Sequence, residues 1–373
     1  MSILAIAPMD GITNNAFRQI SNKLRNLYGD KQNHKMMMWT EFMSVEWYIR
    51  HPKKLCHHIL KNTSQTNVIA QIYGSDTTHL LQSAIDIDQK YPDFKWIELN
   101  IWCPSPKIYA CESWVGMLRN RPHTSQIIKN ISENIKLPFS IKTRTWLSED
   151  DKKNQFEWIL SIAKYCDIIT VHGRTYKGWH SGPVDRQYIY DIKTALSDKP
   201  NIYGNNTKIL WNGGIWDYQE WIDKINNLDG VMRWQSVMKN PFVITNHKPD
   251  IYELRLIILE HLDWYICDDI YMSMANSFDE WSKLLIQPDS QIYSQIISYL
   301  QNKTLNKYTY HADNMTDVNS GNRHSVVEFR KHLFWYISWL EWNKEFKQKV
   351  ATIWNYYELV DQINMYFDKL WKI

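Results

Sequence analysis

The sequence predicts an α/β protein, a closed (β/α)8 TIM barrel followed by a smaller C-terminal helical domain. Three observations carry this. Short apolar runs alternate with longer segments of helical spacing through the first two thirds of the chain, and eight such runs can be read. None is followed by the GxGxxG turn of an open dinucleotide-binding sheet. After Pro241 the texture changes to long helical stretches.

The runs are "LAIAPM" at 4–9, "KMMMWTEF" at 35–42, "NVIAQIY" at 67–73, "WIELNI" at 96–101, "FSIKTRT" at 139–145, "IITVHGR" at 168–174, "KILWNGG" at 208–214 and "GVMRWQSV" at 230–237. Segments between them, such as "SQIIKNISENI" and "NQFEWILSIAKY", repeat apolar residues every three or four positions, the stripe of an amphipathic helix. Strands that alternate with helices run parallel, and eight of them in about 240 residues suit a closed barrel better than a doubly wound sheet. The second part contains "YELRLIILEHLDWYICDDIYMSMANSFDEWSKLL" and "VVEFRKHLFWYISWLEWNKEFKQKVATIWNYYELVDQINMYFDKL", with the polar "QNKTLNKYTYHADNMTDVNSGNRH" between them. The expected domains are residues 1–243, the barrel, and 244–373, helical, with a polar insert around 301–325.

Composition agrees with two domains. At 373 residues and 44.8 kDa the chain exceeds what one core sustains. The net charge of +3 is unevenly divided: residues 1–250 hold 31 Lys+Arg against 24 Asp+Glu, and residues 251–373 hold 12 against 16. A mildly basic first part tolerates a polyanionic partner and equally suits a plain solvated surface. No signal peptide or membrane span is read, so the cytoplasm is the expected compartment. Five cysteines without CxxC spacing argue against a disulfide scaffold and against a metal site.

Active sites of such barrels form at the carboxyl ends of the strands. The polar residues closing the runs are Asp10 after Pro8 and Met9, then Glu41, Gln71, Asn100 with Cys103, Lys142 with Arg144, His172, Asn212 before Gly213 and Gly214, and Gln235 after Trp234. Taken singly, each has a bland reading: a surface ion pair, a structural histidine, a buried cysteine. Their joint placement points to one site. A Lys, a His, a Gln amide and a glycine turn near strands 7 and 8 suit FMN, with the amide on the ring edge, the cation near the reduced ring and the turn at the phosphate. A thiol beside such a ring can act as a general acid.

The fragments "APMDGITNNAFR", "QIYGSD", "ELNIWCPSPK", "SIKTRT", "ITVHGRT", "SGPVD", "LWNGGI" and "GVM...NPF" resemble, in order and spacing, the motifs of the tRNA-dihydrouridine synthases. The match spans residues 5 to about 243 and reaches, more weakly, "EFRKHLFWY" at 328–336. The resemblance implies Cys103 as catalytic acid. It implies Pro8, Met9, Asp10, Gln71, Lys142, His172, Asn212, Gly213, Gly214, Trp234 and Gln235 as FMN contacts, and Asn100 and Arg144 at the target base or its backbone. The implied reaction is reduction of the uracil 5,6 double bond in tRNA with NAD(P)H, by a monomer. Two alternatives stay open: another FMN barrel acting on a free pyrimidine, and a catalytically impaired RNA-binding homologue.

Tryptophan departs from the family pattern. The chain has 19 Trp and only 12 Gly, about 3% glycine where about 7% is usual. Trp47, Trp96, Trp102, Trp114, Trp146, Trp179, Trp211, Trp234, Trp339 and Trp342 stand where the family has glycine. Genuine tryptophans there would crowd a flavin site at Trp102, Trp211 and Trp234, and would strain the backbone wherever φ is positive. The reading taken is that these positions are glycine in the source organism, whose UGA codons specify glycine, which accounts for the surplus and the shortage together.

Overall fold

The computed structural model describes residues 1–30, 33–51, 56–61, 65–101, 115–145, 149–175, 182–273, 294–296, 298 and 323–371. Eight strands form a closed parallel barrel in sequential order. They are β1 (Ser2–Ile6), β2 (His34–Ser44), β3 (Val68–Tyr73), β4 (Trp96–Asn100), β5 (Phe139–Arg144), β6 (Ile168–His172), β7 (Lys208–Asn212) and β8 (Gly230–Arg233). Each expected run overlaps its strand. Strand β2 extends further than expected because the register shifts between Trp39 and Phe42, which lets the strand bend and continue.

Residues paired in parallel register share a face, and residues two apart on a strand share it too. The inner face therefore carries Ile3, Ala5, Met37, Trp39, Ile69, Ile168, Leu210 and Met232 low in the barrel, where they pack together with Ala7 in one cluster. Above them the same face carries Gln71, Glu98, Asn100, Lys142, Arg144, Thr170, His172 and Asn212. The intervening residues, among them Ile97, Leu99, Ile141, Val171 and Val231, are buried against the surrounding helices. Lys142 and Arg144 thus both point inward.

The helices begin where the sequence supplies a cap. Asp76 accepts from His79 N at 2.8 Å, Asp185 from Tyr188 N at 3.0 Å and Asp217 from Glu220 N at 2.7 Å. Each side chain satisfies one of the unpaired N–H groups that open helices Thr77–Lys90, Arg186–Ala195 and Tyr218–Lys224.

Two compact units divide the chain. One is Met1–Asp10, Asp30–Ile59 and Thr66–Trp234; the other is Gly11–Gly29, Leu60–Gln65 and Gln235–Ile373. In the second, helix Asn15–Tyr28 packs against helix Ile251–Ser273. Arg18, fully buried, donates to Gln65 Oε1 at 3.1 Å and to the carbonyls of Thr13 and Leu60. Gln65 donates to Asn15 Oδ1 at 2.8 Å, and Asn15 donates to Asp268 Oδ1 at 2.7 Å. The second long stretch is three helices, Arg323–Tyr336, Asn343–Val350 and Tyr356–Trp371. The first break ends at Trp342, which takes a left-handed conformation (φ 53°, ψ 15°). At the second break Asn355 caps, accepting from Glu358 N at 3.1 Å. Residues 301–322 of the polar insert lie outside the described residues. No described helix is long and apolar enough to cross a membrane.

Six of the ten family-glycine positions are described. Only Trp342 among them has a positive φ. The expected accumulation of strain is therefore confined, among the described residues, to this one position, because the other five occupy strands, a helix or turns that any residue can adopt. Trp96 is well accommodated at the amino end of the barrel, where its Nε1 donates to Asp167 Oδ2 at 2.8 Å. Trp47 and Trp339 lie largely in solvent, 55% and 60% exposed. Trp342 allows a direct check. Trp342→Gly should be more stable than Trp342→Ala by about 1 kcal/mol, the cost of a Cβ in the left-handed region, reversing the usual order of the two residues. Urea unfolding of both variants measures it; alanine equal to or above glycine contradicts the strain.

Candidate active site

The carboxyl ends of β3 to β7 bring the polar tier together. Gln71 Nε2 donates to Glu98 Oε1 at 2.6 Å, and Asn100 Nδ2 donates to Gln71 Oε1 at 3.1 Å. All three side chains are buried. Lys142 of β5 pairs in register with Asn100 of β4, and Arg144 of β5 with His172 of β6. Arg144 donates to the carbonyl of Thr175 at 2.9 Å, and Asn212 to that of Met232 at 2.7 Å.

A second group of donors gathers beyond β6 and β7. Arg174 Nη1 lies 3.3 Å from His172 Nε2. A guanidinium only donates, so His172 Nε2 is the acceptor in this contact and the ring is neutral, with its proton on Nδ1. Arg174 Nε also donates to the carbonyl of Gly182 at 2.6 Å. Burial lowers the Arg174 pKa, and the group stays a cation. Gly213 and Gly214 turn with φ of 96° and 68°. A Cβ at Gly213 would stand 2.4 Å from His172 Cδ2 and 3.1 Å from Arg174 Nη1, so backbone, imidazole and guanidinium crowd one point. That set fits a phosphate: a fixed cation, held in place by His172, and a turn that a ligand can approach closely. The amide, carboxyl and lysine tier beside it fits the polar edge of a flavin.

Of the expected site residues, Gln71, Asn100, Lys142, Arg144, His172, Asn212, Gly213 and Gly214 line this end of the barrel. Pro8 and Met9 follow β1, Met9 buried and Asp10 exposed. Asp10, Glu41 and His58 bring one ligand-type atom each within 4.8 Å of one another, and burial lowers the His58 pKa. Trp234 follows β8 half-buried, packed against the inner apolar cluster. Gln235 opens helix Gln235–Lys239 in the helical unit. Cys103, with Trp102, lies outside the described residues.

One expectation is corrected. Trp211 was read as crowding the glycine turn, but it is buried on the outer face of β7, with the Arg186 guanidinium 5.5 Å from its ring centre. Its inward neighbours on the strand are Leu210 and Asn212, and strand alternation sends the indole into the helix layer. Two residues were missed as site members. Arg174 stands inside the "HGRT" fragment, two places after His172. Glu98 follows from the spacing Trp96, Glu98, Asn100, which puts a carboxylate on the inner face.

A closed parallel barrel with a polar, cation-bearing tier at the carboxyl ends of its strands is an enzyme scaffold prepared for an anionic ligand with a polar ring. Residues 5–287 match the family described as "Dihydrouridine synthase (Dus)". The chain belongs to the dihydrouridine synthase family, and by that membership is an oxidoreductase. It is 24% identical over 321 residues to a "Probable tRNA-dihydrouridine synthase" of Aquifex aeolicus (strain VF5), covering 84% of this chain and 92% of the relative. It is 27% identical over 247 residues to "tRNA-dihydrouridine synthase B" of Pasteurella multocida (strain Pm70), covering 64% and 66%. It is 26% identical over 199 residues to the "tRNA-dihydrouridine(20/20a) synthase" of Yersinia pestis, covering 50% and 54%.

Proposed function

We propose that the chain reduces uridines of tRNA to 5,6-dihydrouridine, with bound FMN as the carrier and NAD(P)H as the reductant, acting in the cytoplasm as a monomer without a metal. The observation that carries the reading is the convergence of Gln71, Lys142, His172, Arg174 and the Gly213–Gly214 turn at one end of the barrel. Family membership and the names of the relatives support the substrate.

Gln71 and Lys142 would hold the flavin ring, and Arg174, His172 and the glycine turn the phosphate, with Asn212 stiffening the turn through its bond to Met232. When bound, FMN supplies a hydride to C6 of the uracil. Asn100 and Arg144 would meet the flipped-out base and its backbone. Cys103, by the family motif, gives a proton to C5 from the opposite face. The cationic Lys142 stabilises negative charge in a shielded site. Lys142→Ala should weaken FMN binding by about tenfold or more, the worth of one hydrogen bond to a charged group, about 1.5–3 kcal/mol. His172→Ala should cost less. Fluorescence titration with FMN measures both, and unchanged affinity in both contradicts this site.

Trp234 bears on the second reading, the impaired homologue. Its half-buried indole packs against the inner apolar cluster, and glycine at this position would leave that room to a ring-bearing ligand. The chain with glycine at the ten positions should purify yellow with one FMN per chain, and the sequence as written should hold little. Equal flavin content after desalting contradicts the glycine assignment.

A further inference from the structure

We infer that Glu98 is a positioning residue whose charge sets the direction of a two-amide relay, Glu98 to Gln71 to Asn100, and so decides whether Asn100 offers an acceptor or a donor at the barrel mouth. The inference rests on the FMN and uridine reading of this site. The geometry is one line of contacts on the inner face. Glu98 lies at its base, completely buried, and its Oε1 accepts from Gln71 Nε2 at 2.6 Å. Gln71 Oε1 in turn accepts from Asn100 Nδ2 at 3.1 Å.

A carboxylate only accepts, so an ionised Glu98 forces Gln71 to turn its Nε2 downward. The Gln71 carbonyl then faces Asn100, which must present Nδ2 to it and leave Oδ1 as the outward acceptor. A protonated Glu98 has an O–H to donate. It can then bond Gln71 Oε1, which reverses both amides and turns Asn100 Nδ2 outward. A protonated carboxyl also keeps an oxygen that accepts, so neutralisation allows both orders, and one proton in the barrel core releases the polarity that the charge fixes at the mouth.

The surroundings place that proton near neutrality. The second oxygen, Oε2, is buried and reaches no hydrogen bond among the described residues; Trp39 of β2 stands beside the carboxyl and favours its charged form without meeting Oε2 in a bond. Among the described residues, the charged and titratable groups that interact with Glu98 are Lys142 of β5, which favours ionisation, and the buried Cys166 thiol, which is itself pushed upward. Burial of the charge outweighs Gln71, Lys142 and Trp39 and raises the carboxyl to about 7. The folded chain therefore holds this proton more tightly than the unfolded one. Stability from Glu98 is present at low pH and is lost as pH rises through about 7.

The test needs no cofactor for its first arm. In the ligand-free full-length chain with 15N-labelled glutamine, the Gln71 side-chain amide signal should move with pH, with a midpoint near neutrality. Glu98→Gln, equal in size and never ionised, should abolish that movement. A Gln71 signal that does not titrate in the parent overturns the inference, whether or not the variant folds. In the second arm, FMN affinity is measured from about pH 6 to about 8 for the chain with glycine at the ten positions and for its Glu98→Gln variant. The ratio of the two affinities should change by about tenfold, since one unit of displacement is tenfold, and Glu98→Asp, which keeps the charge, should restore the dependence on pH. A constant ratio overturns the relay. A glycine-bearing chain that takes up no FMN at any pH overturns the proposed function instead, and the amide titration still decides the relay.

Discussion

Cys103→Ala, made in the chain with glycine at the ten positions, is expected to retain FMN, tRNA binding and flavin reduction by NADPH, yet to lose turnover by about 10² to 10⁴, the usual worth of a positioned acid. In the proposed reaction the hydride would reach C6 from the flavin side of the base, which would leave the proton for C5 to come from the other face. A cysteine thiol with a pKa near 8.5 is mostly protonated at neutral pH and donates without activation. Cys111, eight residues further on, is the internal control, and Cys111→Ala should change turnover little. Dihydrouridine formation measured on bulk tRNA separates the steps. Equal formation by Cys103→Ala and its parent removes the thiol from the mechanism.

Acidification is expected to unfold the helical unit well before the carboxylates of the chain are neutralised. His261 of helix Ile251–Ser273 and His332 of helix Arg323–Tyr336 are completely buried with ring centres 4.7 Å apart. Phe17, Tyr265, Phe329 and Trp335 surround them. His261 Nδ1 meets Tyr336 OH at 2.8 Å, and neither ring nitrogen of His332 has a hydrogen-bond partner among the described residues. Burial lowers His261 from 6.5 to about 3 and His332 well below 6.5, where His261 and Lys331 add to the effect. The unfolded chain therefore binds protons that the folded chain refuses. Stability is complete above about 6.5 and falls as pH drops toward about 3. Each ring contributes about 1.4 kcal/mol per pH unit in that window. By about pH 5 His261 alone should cost about 2 kcal/mol, with His332 acting in the same direction, against the usual 5–15 kcal/mol. Urea unfolding across this range measures the slope. His332→Phe should make it shallower; the same slope in variant and parent contradicts the role of the pair.

The barrel was legible because its strands are short apolar runs closed by polar residues, a pattern that tryptophan at the family's glycine positions leaves intact. Strand ends pointed to residues that the barrel gathers at one end: Gln71, Lys142, His172 and Asn212 fall where the alternation of their runs sends them. Glu98 was passed over because a carboxylate in the middle of a strand reads as a solvent-facing residue until closure of the barrel makes that face the inside. Arg174 was passed over because it stands after its strand, and only the turn at Gly213 brings it back to His172. Trp211 was misread for the opposite reason, since proximity in sequence to the glycine turn says nothing of the face its strand gives it. The break at Trp342 was invisible to helical spacing, which continues through it.

The central claim is that this barrel reduces uridine in tRNA through FMN. Unmodified tRNA incubated with the glycine-bearing chain, FMN and NADPH, then digested to nucleosides for mass spectrometry, tests it most directly. The account predicts a nucleoside heavier than uridine by one H2, dependent on both FMN and NADPH and absent when free uracil replaces tRNA. A flavin-loaded, NADPH-reducible chain that leaves every uridine unchanged, or that reduces free uracil as readily as tRNA, contradicts it.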